Sequence, residues 1–219
     1  MKDKLKIDIV SDVVCPWCTV GYKHLQKAIE DLNIEDQIEI EWQPFELNPH
    51  MPEEGQDLTE HITQKYGSTP EQQKVSRQRL VDAGNNVGFT FDYFDGMRVV
   101  NTFNAHVLLE YAKQFGKQTE LKMRLTTAFF SERKDVSKED VLKQALLDVG
   151  LNAEEALAKL KDDDARFEVQ RNKQYWQNLG VRSVPTVVFN RKEAVTGAQP
   201  IEVFKSILKE FTQPKAIKA

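Results

Sequence analysis

The chain has two cysteines, and they stand three residues apart in Cys15-Pro16-Trp17-Cys18. Two thiols at this spacing can form half of a metal site, serve as quiet structural residues, or exchange electrons as a dithiol–disulfide pair. A structural zinc ion needs four ligands. No other cysteine is present, and His24, His50, His61 and His106 are scattered without ligand-like spacing. Metal binding is therefore not expected. The choice between redox and structural thiols turns on what surrounds the motif.

Before it runs Leu5 to Val10, where Leu5, Ile7 and Ile9 alternate with Lys6 and Asp8, the period of a strand. After it, Cys18, Tyr22, Leu25, Ile29 and Leu32 follow at helical spacing. The motif sits where a strand hands over to a helix, and Pro16 suits the first helical position, where its missing N–H is no loss. Cys18 shares the apolar stripe of Leu25 and Ile29 and is expected to be buried. Cys15 falls at the cap, expected to face solvent over the free N–H groups and positive end of the helix. Such a site favours thiolate over thiol. Position thus makes Cys15 the nucleophile and Cys18 the resolving thiol, and a redox pair is the favoured reading.

The chain's 219 residues allow one large domain or a domain carrying an insertion. Charged residues make up 29% with a net charge of −4, so nothing electrostatic favours nucleic acid or an anionic membrane as partner. No apolar run reaches the roughly 18 residues that would span a bilayer. Met1-Lys2-Asp3-Lys4 leads into a charged strand and not the apolar core of a signal peptide. The expected compartment is the cytoplasm, where thiols are kept reduced and a C-x-x-C is more often catalytic than structural.

Ile38-Glu39-Ile40-Glu41-Trp42 reads as a second strand, half-buried and at a sheet edge. The proline-rich stretch from Phe45 to Gly55 shows no period. From about Leu58 the pattern turns helical for some 120 residues. Thr69-Pro70-Glu71-Gln72 forms a capping box, Ser137 with Asp140 and Asn152 with Glu155 open two further helices, and Asp162-Asp163-Asp164 suits an acidic first turn. That last helix runs to a glycine stop at Gly180. Val184 to Phe189 and Ala194 to Thr196 form a β-hairpin, a closing helix follows Pro200, and Pro214 to Ala219 reads as a frayed tail.

This order is that of an α/β thioredoxin fold with a large all-helical insertion between the second strand and the C-terminal β-hairpin. Residues 1–54 and 181–214 would form the thioredoxin-like part, 55–180 the inserted helical part and 215–219 the tail. The chain resembles the DsbA-like thioredoxin-fold oxidoreductases, and more closely their FrnE-type cytosolic branch, related to hydroxychromene-carboxylate isomerase. The likeness rests on Asp12 with Cys15-Pro16-Trp17-Cys18 and Gly21, on Phe45-Glu46-Leu47-Asn48-Pro49, on Asn101-Thr102 with Ala105-His106, on Val184-Pro185-Thr186, and on Gly197-Ala198-Gln199-Pro200. It spans about Lys6 to Phe211.

The resemblance implies that Pro185 is a cis-proline facing the cysteine pair, with Val184 and Trp17 bordering the substrate. It further implies that Asn48, Asn101 and His106 lie near the motif as candidate binding residues. Asn48 also reads as a turn initiator and His106 as a hydrogen-bonded helix residue, while Trp42 and Phe45 read as core. Typical DsbA pairs enclose Pro-His where Trp17 stands here, so a histidine's help to the thiolate is absent. The isomerase relatives lack the C-x-x-C and use bound glutathione.

Three functions compete. The leading one is a thiol–disulfide oxidoreductase acting on a disulfide- or thiol-containing peptide or small molecule, with no tightly bound cofactor and glutathione as a possible substrate or reductant. The second is a glutathione-dependent isomerase or transferase acting on a small aromatic molecule. The third is a non-catalytic peptide-binding module. Neither the direction of electron flow nor the oligomeric state is legible in the sequence.

Overall fold

The structure, a computed structural model, describes residues 4–212; the tail expected from Pro214 lies outside the described residues. In chain order the elements are β1 (Leu5–Ser11), α1 (Pro16–Leu32), β2 (Ile38–Pro44), β3 (Gln56–Asp57), α2 (Leu58–Tyr66), α3 (Pro70–Asn86), β4 (Arg98–Val99), α4 (Phe103–Lys113), α5 (Gln118–Phe130), α6 (Glu139–Asp148), α7 (Ala153–Ala158), α8 (Asp163–Asn178), β5 (Thr186–Phe189), β6 (Glu193–Thr196) and α9 (Ile201–Thr212).

The main sheet runs β2-β1-β5-β6, with β1 parallel to β2 and antiparallel to β5. Alternation along β1 decides what covers each face. Leu5, Ile7 and Ile9 pack with Tyr22, Leu25 and Ile29 of α1 and Phe204 and Leu208 of α9. Val10 points the other way, to Val188 and to Trp176 of α8. Thus β1 is buried on both sides, which a parallel crossover requires.

The insertion, α2 to α8, builds the larger apolar cluster around Leu108, Leu121, Leu125, Leu142 and Leu146, and draws Val13, Val14 and Val20 from the cysteine-bearing segment into it. The two parts therefore share one core. They also share hydrogen bonds. β2 is an edge strand, and an edge left open exposes unpaired backbone groups. Gln118, at the start of α5, closes it: its Oε1 accepts from Trp42 N–H at 2.8 Å and its Nε2 donates to Trp42 O at 2.9 Å, while Thr119 Oγ1 accepts from the Trp42 indole N–H at 2.9 Å. A side-chain amide here replaces a neighbouring strand.

Several sequence expectations need correction. The insertion read as all-helical over residues 55–180 contains β3 and β4, a two-strand ladder too short to carry a period. Ser137 does not cap α6; it bonds Asp135 at 2.6 Å, and Lys138 takes the cap position. The strand read from Val184 begins at Thr186. The capping box at Thr69 and Gln72 and the Asn152 and Asp162 caps are present.

Replacing Gln118 by alanine would leave the buried N–H and C=O of Trp42 without partners, at about 1–3 kcal/mol for each buried group. Urea unfolding of Gln118→Ala is expected to show a loss of about 2 kcal/mol or more. A loss below about 0.5 kcal/mol, the range of inert surface changes, would show that this amide does not seal the sheet edge.

Candidate active site

Cys15 is the N-cap of α1, with Pro16 at the first helical position and no side chain capping the first turn. Its N–H donates to Asp12 O at 3.3 Å, and Cys18 N–H donates to Cys15 O at 3.2 Å. Both cysteines are free thiols. Cys18 is 1% exposed, as its place on the helical stripe requires, but Cys15 is only 4% exposed and does not face open solvent. Its sulfur instead lines a cleft of about 630 Å³, bordered by Trp17, Phe45, Leu58, Arg77, Tyr93 and Val184 among others. Cys18 is not on that lining. The reason is the insertion: α2, α3 and the loop before β4 roof the helix end that the sequence left open.

The cleft's near wall is the turn before β5. The Val184–Pro185 peptide is cis, and Val184 O accepts from Cys15 Sγ at 4.0 Å. Gly21 brings α1 against this turn. A Cβ there would lie 3.3 Å from Pro185 Cγ and 3.2 Å from Ala198 Cα, closer than a side chain fits without a shift. Gly197 N–H donates to Pro185 O at 2.8 Å from a left-handed backbone (φ 83°) that favours glycine.

Beneath the pair lies a buried polar group. Asp12 Oδ2 accepts from Leu47 N–H at 2.8 Å. His106 Nε2 lies 2.9 Å from Phe45 O and 3.4 Å from Asp12 Oδ1; both neighbours are acceptors, so Nε2 carries the hydrogen. Lys122 Nζ donates to Asp12 O at 2.7 Å. Burial alone would raise Asp12; the hydrogen bond from His106, its proximity and the Leu47 amide outweigh that and hold the carboxyl below its ordinary value.

The closeness of Cys18, then burial, pushes Cys15 well above the ordinary thiol value. Burial would raise Cys18 as well, but the hydrogen bond from Cys15 and the charge of Lys122 hold it below. The pair titrates as a unit, losing its first proton readily and its second with difficulty. This corrects the expectation of a low-pKa thiolate on Cys15 alone. The helix end is present, but the buried cation Lys122 lowers Cys18 and is not among the causes acting on Cys15.

The remaining candidates separate. Trp17, 44% exposed, and Val184 line the cleft. Asn48 lines it too, with its Oδ1 occupied by Lys65 Nζ at 2.7 Å. Asn101 and His106 do not: Asn101 bonds Met51 O and Phe103 N–H, fixing the start of α4, and His106 is turned inward to Phe45 O. Phe45, read as core, is half-buried on the cleft wall. Lys65, Arg77, Tyr93 and Arg182 as lining residues and Lys122 as a buried cation were not legible in the sequence: Lys65, Arg77 and Lys122 lie on helices, where they look like solvated faces, and Tyr93 and Arg182 lie in aperiodic connections.

Residues 6–209 match the DSBA-like thioredoxin domain. The chain belongs to that family. Its class is that of thiol–disulfide oxidoreductases. Among solved structures, a probable DsbA oxidoreductase from Streptomyces coelicolor is 30% identical, with a TM-score of 0.89 covering 98% of this chain and 93% of that one. The DsbA-like fold extends to a cytosolic disulfide reductase, DsbM, from Pseudomonas aeruginosa, solved with GSH (16% identity, TM-score 0.61, covering 96% and 100%). It also extends to a 2-hydroxychromene-2-carboxylate isomerase (13% identity, TM-score 0.70, covering 94% and 95%).

Asp12, with its pKa depressed, contributes stability that is present above the unfolded value of 3.8 and lost as pH falls through the folded one. The stability gap between wild type and Asp12→Asn should therefore be widest near neutrality and close below about pH 4, measured by urea unfolding across pH. A gap that stays constant to pH 3 would refute the assignment.

Proposed function

We propose that this DsbA-like protein exchanges disulfides with a small anionic thiol such as glutathione, through a mixed disulfide on Cys15. One observation carries the reading: Cys15 is the sulfur of the pair that opens into the cleft, while Cys18 lies directly behind it and off the lining. In the reducing direction the pair's thiolate attacks a substrate disulfide from Cys15. One substrate sulfur leaves as thiolate and the other stays bonded to Cys15. Cys18 then attacks Cys15 Sγ, releases the second substrate thiol and closes the Cys15–Cys18 disulfide. Two electrons pass to the substrate, and two molecules of glutathione restore the dithiol by the same steps reversed. No bound cofactor is needed.

The charge of the cleft supports an anionic substrate. Lys65, Arg77, Arg182 and His61 line it, and no aspartate or glutamate does. Among the described residues, no carboxylate lies within 4.0 Å of Lys65, Arg77 or Arg182; Arg77 bonds only Thr59 Oγ1 and Gln73 Oε1. Glutathione carries two carboxylates and a thiol, and DsbM was solved with it. Val184 O beside Cys15 offers an acceptor for the ligand's backbone N–H. The cytosol, with its glutathione pool, is the compartment this chemistry fits.

The isomerase alternative shares the fold, but both cysteines are kept and one lines the cleft. Cys15→Ser separates the two: it should abolish disulfide exchange, whereas an isomerase drawing its thiol from glutathione would survive. Cys18→Ser should accumulate a stable mixed disulfide with glutathione on Cys15, seen as a single adduct by mass spectrometry. Adduct formation on Cys18 in Cys15→Ser at an equal rate would overturn the assignment of roles. Arg77→Gln should weaken saturation by glutathione about tenfold, the loss of roughly 1.4 kcal/mol from one charge-assisted contact.

A further inference from the structure

Lys122 lies on α5, in the helical insertion, and is 2% exposed. A buried ammonium without a counter-charge is costly enough that such groups are paired or neutral. Among the described residues, no carboxylate oxygen lies within 4.0 Å of its Nζ, and its hydrogen bond goes to a carbonyl, Asp12 O. That same carbonyl accepts from Cys15 N–H, so the ammonium stands one shared acceptor away from the cap of α1. The Trp42 ring, 5.3 Å from Nζ to its centroid, covers it and offers only a quadrupole. The Asp12 carboxylate, on the same loop, has Oδ2 held by Leu47 N–H, while Oδ1 lies 3.4 Å from His106 Nε2 without a hydrogen-bond partner among the described residues. Glu110, which lines a water-sized void beside Lys122, is 3.3 Å from Lys113. Besides the Asp12 carboxylate, the anion that can balance Lys122 is the sulfur pair itself, with Cys18 the larger influence.

We propose that Lys122 is the counter-ion of the Cys15–Cys18 thiolate, a positioning residue supplied by the insertion, whose proton is held more tightly in the dithiol state than in the disulfide state. The inference rests on the redox reading of the pair. In the dithiol state the site holds one thiolate, one thiol and one ammonium. Oxidation removes two electrons, forms the S–S bond and leaves no negative sulfur; Lys122 then loses the sulfur charge and keeps burial, which lowers its pKa, opposed by the Asp12 charge alone. With the thiol's proton and the one Lys122 gives up, the reduced substrate disulfide leaves as two neutral thiols, so protons and charge balance. Lys122 acts from behind the pair, opposite the cleft that holds Tyr93, His61, Lys65, Arg77 and Arg182. These groups face Cys15 and bear on substrate, whereas Asp12, His106 and Lys122 face the buried side.

The test uses the full-length protein and Lys122→Gln, which can keep the bond to Asp12 O without the charge. Thiolate absorbance near 240 nm during titration of the reduced protein reads the pair's first ionisation without any substrate. That pKa should rise by about 1 to 3 units in the variant, as for loss of an opposite charge nearby. Above the first pKa, equilibrium with glutathione should shift towards the protein disulfide by about tenfold per unit of rise. An unchanged first pKa in a variant with native circular dichroism would overturn the proposal. Should Lys122→Gln not fold, wild-type protein labelled with ¹⁵N at lysine Nζ gives the reciprocal reading: the Lys122 pKa must be lower in the disulfide form than in the dithiol, and equal values refute the link. The redox reading fails separately, if wild-type protein forms no Cys15–Cys18 disulfide in any glutathione buffer.

Discussion

Asp12 is the point on which the site depends. Its carbonyl accepts from the Cys15 amide and from Lys122, and its carboxylate accepts from the Leu47 amide beside His106. Five segments meet there: the end of β1, the cap of α1, the connection after β2, and helices α4 and α5 of the insertion. Cys15, Lys122 and His106 are buried and Leu47 half-buried, so the buried partners must be satisfied by one another; removing one leaves a desolvated polar group. This explains why a helical block that contributes no sulfur still governs the chemistry. It fixes the floor under Cys15 and carries the cation that faces Cys18.

Burial and reactivity would seem opposed at Cys15, since a thiol removed from water resists ionisation. The arrangement resolves this by sharing one charge between two sulfurs. On the proposal that Lys122 balances the pair, the first proton would be released against a buried ammonium and the amides of a helix start, and the coupling of the two thiols would share the charge between them. Access then decides which sulfur attacks. Of the pair, only Cys15 borders the cleft, and on the proposed function Lys65, Arg77 and Arg182 would select what approaches it. Reactivity would then be set from the buried side and specificity from the cleft side.

Much of the fold was legible because its signals are local. The change from strand period to helix period at Cys15, the Thr69–Gln72 capping box, and the hairpin after Val184 each need only neighbouring residues. The edge position of β2 followed from its alternating glutamates. The site's centre was legible, since Cys15, Cys18 and the Val184–Pro185 turn stand out by residue type and position and the structure brings Cys15 against that turn. What was not legible depends on contacts across the chain. Gln118 closing the sheet at Trp42, 76 positions away, looks like any polar residue at a helix start. Lys122 sits between Leu121 and Leu125 with nothing to say that it points inward. Arg77 and Lys65 look like solvated helix faces until the two helices that bear them fold over Cys15. His106 and Asn101 were placed near the motif rightly in topology but on the wrong side, because residue identity does not reveal which way a side chain turns.

The most direct test is a crystal structure of the Cys18→Ser protein trapped as its mixed disulfide with glutathione. The account predicts the tripeptide bonded to Cys15 inside the cleft, its backbone beside Val184 and its carboxylates towards Lys65, Arg77 or Arg182. A glutathione lying outside the cleft, or carboxylates directed away from those three cations, would contradict it.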